Sequence, residues 1–492
     1  MLDVDLWPPS WPVVVAALVV ALDLAIRLTA LAVVPADRRP SSAMAWLLAI
    51  FFVPYLGAAF FLLIGSPKLP RSRRAKQRTI NELIMARTRG VDQVRLEDPW
   101  PPWFASVVAL NRRLGSMPLV TGNGATLMTD YASSLAAMTA EVDRARDHVH
   151  AEFYILMVDE ATEPLFAALE RAVARGVVVR VLLDHLACLR TPGYRATTRR
   201  LTAMGAQWHL LLPVQPLRGR YQRPDLRNHR KLLVVDGAVA FTGSQNVIER
   251  GYHKRRHRRR SLQWQDLVAR FEGPVVAELA AIFITDWYSE TDELLDGEPR
   301  AVGPGGPGHD LDCQVVPSGP GFAGENNLKL FNALTYYAQE RIGITSPYVV
   351  PDESLLLALT TAAERGLQVD LFVSERGDQW LTHRAQQSYY AALLRAGVRI
   401  WLYPEPYVLH AKHVTIDDDV AVVGSSNMDM RSFSLNLEVS VLVRGAAFVG
   451  ELRAVEDGYR SLSRELTLAE WRARPWHQRV LDDLARLTSA LQ

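Results

Sequence analysis

The sequence predicts an α/β protein made of two similar halves, each a mostly parallel sheet flanked by helices, preceded by an N-terminal transmembrane helical hairpin. Three observations lead to this prediction. A histidine-containing motif occurs twice, apolar strand-like runs alternate with amphipathic helices, and the first 66 of the 492 residues contain two long apolar stretches.

The N-terminal region, residues 1–66, contains the two apolar stretches. Residues 43–64 carry no charge and match a bilayer core of about 30 Å, so we predict a transmembrane helix there. Residues 13–34 are also long enough, although Asp23 and Arg27 lie four apart on one helical face. We predict a second span, with a re-entrant or interfacial helix as the alternative. A cleaved signal peptide fits less well, because the chain opens with acidic rather than basic residues.

A basic cluster follows the second stretch, within a predicted juxtamembrane segment, residues 67–117. Positive charges flank the cytoplasmic ends of membrane spans, so a multi-pass cell-membrane protein is expected, with the rest of the chain on the cytoplasmic side. The same cations can also bind anionic head groups, and the two roles are compatible. The cluster comprises Lys68, Arg71, Arg73, Arg74, Lys76 and Arg78.

The remaining chain repeats one plan. In the predicted first half, residues 118–295, the strand-like "HAEFYIL" precedes an amphipathic helix and the apolar strand "VVVRVLLD". In the predicted second half, residues 311–492, "RIGITSPYVV" precedes a helix and the strand "LQVDLFVS". This alternation predicts parallel strands covered by helices. Residues 296–310, rich in Gly and Pro, are predicted to be a linker.

Each half contains one copy of the motif, "HRKLLVVDGAVAFTGSQN" in the first and "HAKHVTIDDDVAVVGSSN" in the second. Six residue types recur at identical spacing, which is very improbable at average residue usage. Two apolar runs flank turn-forming residues in both copies, so we predict a β-hairpin. The matched residues are His229, Lys231, Asp236, Gly243, Ser244 and Asn246, and His410, Lys412, Asp417, Gly424, Ser425 and Asn427.

The overall composition is that of a globular protein with some membrane character, 49% hydrophobic and 22% charged. The net charge of +2 is uninformative, because the basic residues are clustered. The only cysteines are Cys188 and Cys313, which excludes a disulfide framework and gives neither the companions that a zinc site needs.

The motif residues suit chemistry on a phosphodiester. Such an anion repels nucleophiles, so a catalyst has to neutralise charge, attack phosphorus and protonate the leaving oxygen. Two His-x-Lys copies supply a nucleophilic imidazole, an acid–base imidazole and two ammonium groups for the phosphate oxygens. Asn246 and Asn427, with Ser244 and Ser425, are the predicted additional phosphate donors. No metal or other cofactor is expected.

The paired motifs, His-x-Lys-x4-Asp followed by Gly-Ser and Asn, resemble the phospholipase D superfamily. With "PYLGAAFFLLIGSPKLP", "SPYVVPDESLLLALTTAAERG" and "GSSNMDMRSFSLNLEV", nearly the whole chain resembles the bacterial cardiolipin synthases. The resemblance implies two phospholipase D-like halves that share one active site, with His229 as nucleophile and His410 as acid and base. The motif alone does not distinguish the two histidines. Lys231, Asp236, Lys412 and Asp417 are the other catalytic residues that it implies.

The resemblance also implies a carboxylate 28 residues beyond the histidine that it orients. In the second half this is Glu438 (438 − 410), whereas the same position in the first half is His257. An insertion, "HKRRHRRR" at residues 253–260, is expected to shift the first-half carboxylate to Asp266. The insertion suits anionic lipid or phosphate; a solvated loop without a role and nucleic-acid binding are the alternatives.

The implied function is a membrane-bound phosphatidyltransferase. It joins two phosphatidylglycerol molecules into cardiolipin and releases glycerol, through a phosphohistidine. Phosphatidylglycerol and cardiolipin in an anionic membrane are the expected partners, and nucleic acid is not. The alternatives are a hydrolase that releases phosphatidic acid, a membrane-tethered nuclease and an inactive lipid-binding scaffold. Two complete His–Lys sets argue against the scaffold.

Overall fold

The structure is a computed structural model that describes residues 11–36, 38–65, 69–91, 100, 102–295, 309–322 and 324–487. The described residues fall into two compact units. One comprises the chain up to residue 68 together with Arg223–Asp225, and the other comprises the rest. Most of the predicted linker, 296–308, lies outside the described residues, as does Lys68 of the basic cluster.

The first unit contains three helices, α1 (Trp11–Val33), α2 (Pro40–Phe52) and α3 (Pro54–Ile64). Among the described residues, α1 is the one helix long and apolar enough to cross a membrane. Asp23 and Arg27 of α1 form an ion pair with 2.8 Å between oxygen and nitrogen, as their spacing suggested. The first predicted span is therefore a continuous helix.

The prediction of one continuous helix over 43–64 is corrected, because the chain folds back at Val53. Proline has no backbone N–H and disfavours helical conformation in the residue before it, so Pro54 ends α2 and begins α3. The two helices then pack against each other, with the rings of Trp46 and Phe61 5.5 Å apart. The Arg38 guanidinium, just before α2, donates to the Gly65 carbonyl just after α3. The two ends of this α2–α3 helical hairpin are therefore in contact.

The second unit begins with two helices and continues through the first half of the repeat. Asp130 caps α6 by accepting the Ser133 N–H, and Gly176 follows α7 with a φ of 89°. The elements are α4 (Arg71–Arg87), α5 (Pro102–Gly115), β1 (Val120–Met128), α6 (Tyr131–Arg144), β2 (His148–Phe153), α7 (Glu163–Ala174), β3 (Val178–Asp184), α8 (His185–Leu189), α9 (Tyr194–Met204), β4 (Gln207–Leu211), β5 (Val214–Gln215), β6 (Arg220–Tyr221), β7 (Lys231–Val235), β8 (Val239–Gly243), α10 (Arg255–Arg259), β9 (Gln263–Gln265), β10 (Val268–Glu272) and α11 (Val275–Thr291).

The second half follows the same succession. Asp352 caps α13 by accepting the Ser354 N–H. The elements are β11 (Leu311–Ser318), α12 (Asn326–Tyr337), β12 (Arg341–Thr345), β13 (Val349–Val350), α13 (Glu353–Glu364), β14 (Gln368–Ser374), α14 (Trp380–Ala396), β15 (Arg399–Tyr403), β16 (Tyr407–Leu409), β17 (His413–Ile416), β18 (Val420–Gly424), β19 (Met428–Asp429), α15 (Met430–Ser434), β20 (Glu438–Arg444), α16 (Ala446–Leu462), β21 (Arg464–Leu466), α17 (Leu468–Arg472) and α18 (Trp476–Arg486).

One fifteen-stranded sheet runs through both halves. The first half has the strand order β4-β3-β2-β7-β8-β10-β1, and the second has the corresponding order β15-β14-β12-β17-β18-β20-β11. The two series join where β1 pairs antiparallel with β11, and β21 extends the second edge. This repeated order of seven strands confirms the two similar α/β halves.

The parallel arrangement applies to three adjacent strands in each half, β2-β3-β4 and β12-β14-β15. The other neighbouring pairs in each half are antiparallel. The difference follows from the connections. The parallel strands of each half are joined through helices, whereas β7–β8 and β17–β18 are joined by three-residue turns, 236–238 and 417–419, and are therefore antiparallel.

The predicted juxtamembrane segment packs onto the halves. In α5, Phe104, Val107 and Val108 join the second-half core, and α4 is tied to α11 by Arg73–Glu290 and Lys76–Asp292 ion pairs of 2.7 and 2.6 Å. A separate central core draws apolar side chains from both halves, including Val234, Phe271 and Val441. The predicted limits of the halves stay a prediction.

Candidate active site

Both motif copies form the predicted hairpins, β7–β8 and β17–β18. Their turns lie at Asp236 and Asp417, which adopt left-handed backbone conformations with φ values of 52° and 47°. The Asp236 carboxylate accepts the backbone N–H groups of residues 146–148, and Asp417 accepts those of residues 339–341. Because each turn lies at the end of its hairpin away from the histidine, we replace the catalytic role of both aspartates with a structural one.

The two motif histidines precede β7 and β17, and each is held by the opposite half. The His229 N–H donates to the Leu437 carbonyl at 2.8 Å, and the His410 N–H donates to the Gln265 carbonyl at 2.8 Å. Beside them, β9 of the first half pairs in parallel with β16 of the second. The backbone of the site is therefore formed jointly by both halves.

The side-chain pairs also cross between the halves. His229 Nδ1 lies 3.0 Å from Glu438 Oε1, and His410 Nδ1 lies 2.7 Å from Asp266 Oδ1. The spacing in the sequence pairs Glu438 with His410, and the structure corrects this pairing while retaining both carboxylates. The displacement of the first-half carboxylate to Asp266 is consistent with the inserted segment.

The protonation of His229 follows from its neighbours. Its Nδ1 faces two acceptors, Glu438 and the Ser425 carbonyl at 3.1 Å, so Nδ1 carries the hydrogen. The lone pair is then on Nε2, which has no hydrogen-bond partner among the described residues. Burial, and next the Lys231 ammonium, lower the pKa of His229 to about 4. The imidazole is therefore neutral and nucleophilic at neutral pH.

The two serines act on the carboxylates. Ser244 Oγ donates to Asp266 at 2.6 Å, and Ser425 Oγ donates to Glu438 at 2.5 Å. Each hydroxyl hydrogen is thereby used, which replaces the predicted phosphate-binding role with orientation of the acid. Burial would raise the pKa of Glu438, but interactions with His229, Lys231 and Ser425 lower it below the usual range, so the acceptor stays ionised.

The two asparagines are buried without an established phosphate contact. Asn246 Oδ1 accepts the Ile155 N–H at 3.2 Å, and its Nδ2 donates to the Tyr252 hydroxyl at 2.7 Å. Asn427 is buried, and its Oδ1 has no hydrogen-bond partner among the described residues. The phosphate-binding role of both asparagines stays a prediction.

Lys231 and Lys412 are buried next to the histidines. Each Nζ donates back to the carbonyl of its own histidine, at 2.5 Å in the first copy and 2.7 Å in the second. Burial, and then repulsion from Lys412, lower the pKa of Lys231 to about 7, and burial lowers that of Lys412 to about 8. Because the two lysines repel each other, a bound anion would stabilise the charged form of both.

A buried polar network behind the first histidine is not evident from the motifs. Arg230 Nε donates to the Glu438 carbonyl at 3.0 Å, and its guanidinium also pairs with Asp286. Asn228 Nδ2 donates to Glu152 at 2.9 Å; burial and the nearby Asp286 raise the pKa of this glutamate. A glutamate inside the apolar strand "HAEFYIL" was the one sequence signal of this network.

Further polar contacts hold Glu438. Ser432 Oγ donates to it at 2.8 Å and Asn436 Nδ2 at 3.3 Å. The ring of Tyr154 lies 4.9 Å from that of His229 and 5.3 Å from the Lys231 ammonium. Among the described residues, no group of three or more His, Cys, Asp or Glu is arranged to hold a metal ion.

Comparison with known proteins shows which families the sequence matches. The family described as "Cardiolipin synthase, PLD-like domain" matches residues 138–287 and 334–456, and "Phospholipase_D-nuclease N-terminal" matches residues 15–66. Cardiolipin synthase A of Proteus mirabilis is 32% identical over 466 residues, covering 92% of this chain and 94% of that protein. Cardiolipin synthase A of Serratia proteamaculans is 34% identical over 473 residues, covering 92% and 93%.

A solved structure shares the fold. Phosphatidylserine synthase of Haemophilus influenzae superposes with a TM-score of 0.59 at 12% sequence identity, covering 79% of this chain and all of that one. The shared fold, the two matched segments and the similarity over nearly the full length lead to one assignment. The chain belongs to the cardiolipin synthase family of the phospholipase D superfamily.

Proposed function

We propose that this protein is a membrane-bound cardiolipin synthase that transfers a phosphatidyl group from one phosphatidylglycerol to another and releases glycerol. The observation that carries the proposal is the pair of buried His–carboxylate contacts, His229–Glu438 and His410–Asp266, beside two buried lysines. The relatives named cardiolipin synthase A, similar over 92% of the chain, support the choice of substrate.

In the first step, His229 Nε2 attacks the phosphorus of one phosphatidylglycerol. The new P–N bond forms as the P–O bond to the head-group glycerol breaks, and the departing oxygen takes a proton from Nε2 of His410. Burial, and next the Lys412 ammonium, lower the pKa of His410, whereas the Asp266 carboxylate and the bound phosphodiester favour the protonated form that this step needs. Lys231 and Lys412 stabilise the charge on the nonbridging oxygens.

In the second step, the glycerol hydroxyl of another phosphatidylglycerol attacks the phosphohistidine. His410 takes its proton, the P–N bond breaks and cardiolipin leaves, which returns both histidines to their starting state. Phosphatidylglycerol and cardiolipin in an anionic membrane are thus the proposed partners. Water in place of the second lipid gives phosphatidic acid, the product of the hydrolase alternative.

The proposed location is the cell membrane, with the catalytic halves on the cytoplasmic side. The length and apolar composition of α1 support insertion, and the cations Arg71, Arg73, Arg74, Lys76 and Arg78 of α4 follow the membrane segment. Two of these cations also pair with α11, so the charges serve the fold as well.

The test is mass spectrometry of the products that the purified full-length protein forms from phosphatidylglycerol vesicles. We expect cardiolipin and glycerol in equal amounts, both absent with His229→Ala. Phosphatidic acid as the sole product would refute the transferase and identify a hydrolase. Full activity of His229→Ala would refute the phosphohistidine at this residue.

A further inference from the structure

We propose that a surface of the second unit, beside the active site, binds the face of an anionic lipid bilayer. The surface has two parts. The basic segment comprises Lys254–Arg260, which includes α10. The apolar ridge comprises Trp380 and Leu381 of α14 with Trp476, Val480 and Leu484 of α18. The inference rests on the proposed function only for the choice of phosphatidylglycerol as the lipid.

The basic segment carries six exposed cations that no acid neutralises. None of them forms an ion pair with a carboxylate of the described residues; Arg256 donates to the backbone carbonyl of Asp378, and Arg258 contacts a ring nitrogen of His253. Like charges crowded on one short segment repel one another, and an anionic surface removes that repulsion. The six are Lys254, Arg255, Arg256, Arg258, Arg259 and Arg260.

The apolar ridge is exposed although its residues are large. Trp380 is 57% exposed, Trp476 70% and Leu484 55%. In α18 the exposed residues 476, 480 and 484 recur every four positions and therefore share one face, whereas Asp482 and Ala485 are buried. Exposed Trp and Leu next to arginines are typical of helices that lie in a membrane interface.

The two helices of the ridge run side by side in the same direction. The Arg384–Asp482 ion pair of 3.1 Å joins residues 98 apart, and Arg486 lies over the Tyr389 ring at 4.7 Å with a separation of 97 (486 − 389). A constant separation means parallel helices, so Trp380 and Trp476 lie at the same end. Asp378, which accepts the Arg256 contact, is two residues before Trp380, so the ridge adjoins the basic segment.

The surface also adjoins the reacting groups. Strand β9 leads from the basic segment to Asp266, and β16 leads from Tyr407 to His410, with Tyr407 opposite Gln263 in the parallel pair. Three residues of strand, about 10 Å, separate Tyr407 from His410. The parallel pair β9–β16 therefore connects the end of the basic segment with both Asp266 and His410. Nucleic acid would also suit the cations, but it offers nothing to the apolar ridge.

The test places an environment-sensitive fluorophore on Leu484→Cys in the full-length His229→Ala protein, reconstituted into nanodiscs. This background prevents turnover, and the native Cys188 and Cys313 are buried, so labelling is specific. We expect blue-shifted emission and quenching by bromine on the lipid acyl chains in phosphatidylglycerol discs, and much less in phosphatidylcholine discs. Lys254→Gln with Arg255→Gln and Arg259→Gln is expected to reduce the quenching to the phosphatidylcholine level.

Two matched controls define the results that would contradict the proposal. Leu462→Cys on α16 is also exposed, but α16 packs on the opposite face of β14, so no quenching is expected there. The control for the loss of three charges is Arg144→Gln with Arg146→Gln and Arg175→Gln, near the Asp236 turn. It is expected to leave quenching at 484 unchanged. Equal quenching at 462 and 484, or in both lipids, overturns the proposal. A second contrary outcome concerns the variant with Lys254→Gln, Arg255→Gln and Arg259→Gln. If it no longer binds an oligonucleotide but the quenching at 484 is unchanged, the proposal is also overturned. None of these measurements requires product formation. A negative result here would therefore leave the proposed synthase activity standing, and the absence of that activity would not affect these measurements.

Discussion

At the scale of residues, the two histidines have unequal surroundings. Glu438 accepts hydrogen bonds from His229, Ser425, Ser432 and Asn436, whereas Asp266 accepts from Ser244 and His410. A nucleophile has to keep one orientation through both steps, and the more fully bonded carboxylate fixes the His229 ring more firmly. This asymmetry, which the repeated motif does not contain, supports His229 as the nucleophile.

The first prediction separates the two histidine roles by changing the leaving group. A short-chain phosphatidyl p-nitrophenol needs no protonation as it leaves, so Asp266→Asn is expected to keep a fast burst of nitrophenol and to lose later turnover. Glu438→Gln is expected to slow the burst itself by about 10²- to 10³-fold, because it misorients the nucleophile. Rapid-mixing absorbance measures both. A burst that survives Glu438→Gln and disappears in Asp266→Asn would assign the roles the other way round.

The second prediction concerns pH. Burial lowers the pKa of Lys231 to about 7 and that of Lys412 to about 8, so both are mostly ammonium groups at pH 6.5 and mostly neutral at pH 8.5. A phosphodiester anion prefers the charged forms. We expect its Kd to rise about tenfold to a hundredfold between pH 6.5 and 8.5. Calorimetric titration with a short-chain phosphonate analogue of phosphatidylglycerol measures this.

Burial lowers the pKa of His410, and because a bound phosphodiester favours its protonated form, His410 adds to the same rise in Kd. The other ionisable groups, His229, Asp266 and Glu438, do not account for such a change. Burial lowers the pKa of His229 to about 4, and the pKa values of Asp266 and Glu438 are lowered below the usual carboxyl range, so these three groups keep their charge across the interval. Lys231→Arg keeps its charge at every pH tested and is expected to make the rise in Kd smaller, while Lys412 still loses its charge over this range. A constant Kd in the unmodified protein would show that the lysines stay charged.

At the scale of elements, the hairpins, the helix–strand alternation and α1 were predictable because each follows from local sequence. The crossed pairing was not, because Asp266 and Glu438 meet histidines that are 144 and 209 positions away in the sequence. The serines were misassigned for the same reason: a hydroxyl beside a histidine in the sequence gives no sign of which partner it meets in space. The break at Val53 was predictable, since a residue before proline disfavours helix.

The third prediction follows from that break. Helices α2 and α3 have 13 and 11 residues, about 20 and 17 Å, and neither alone crosses a core of about 30 Å, whereas the 23 residues of α1 do. Because the ends of the α2–α3 hairpin meet, we expect cysteines at Ser42 and Leu63 to be labelled from the same side of the membrane. A cysteine at Trp11 is expected on the opposite side.

Membrane-impermeant maleimide on sealed vesicles of both orientations measures this, and the buried native cysteines give a low background. Labelling at 42 and 63 from opposite sides would show that α2 and α3 straighten into a second span in the bilayer. That result would restore the two-span topology that the apolar stretches alone predict.

At the scale of the whole molecule, the site exists only where the halves meet. Each half supplies one histidine with its lysine, and the other half supplies the carboxylate and the carbonyl that orient it. The Arg230 guanidinium adds a further link by donating to the Glu438 carbonyl. One half can therefore hold neither imidazole in its working orientation, which is consistent with two copies in one chain.

The last prediction tests this crossing without any measurement of activity. Double-mutant cycles on the free energy of unfolding compare His→Ala with the carboxylate changes Glu438→Gln and Asp266→Asn. Residues in contact usually show coupling energies of about 0.5–3 kcal/mol, and distant pairs add independently. We expect coupling for 229 with 438 and for 410 with 266, and none for 229 with 266 or 410 with 438. Coupling within halves instead would mean that each motif is complete by itself, and the shared site would have to be abandoned.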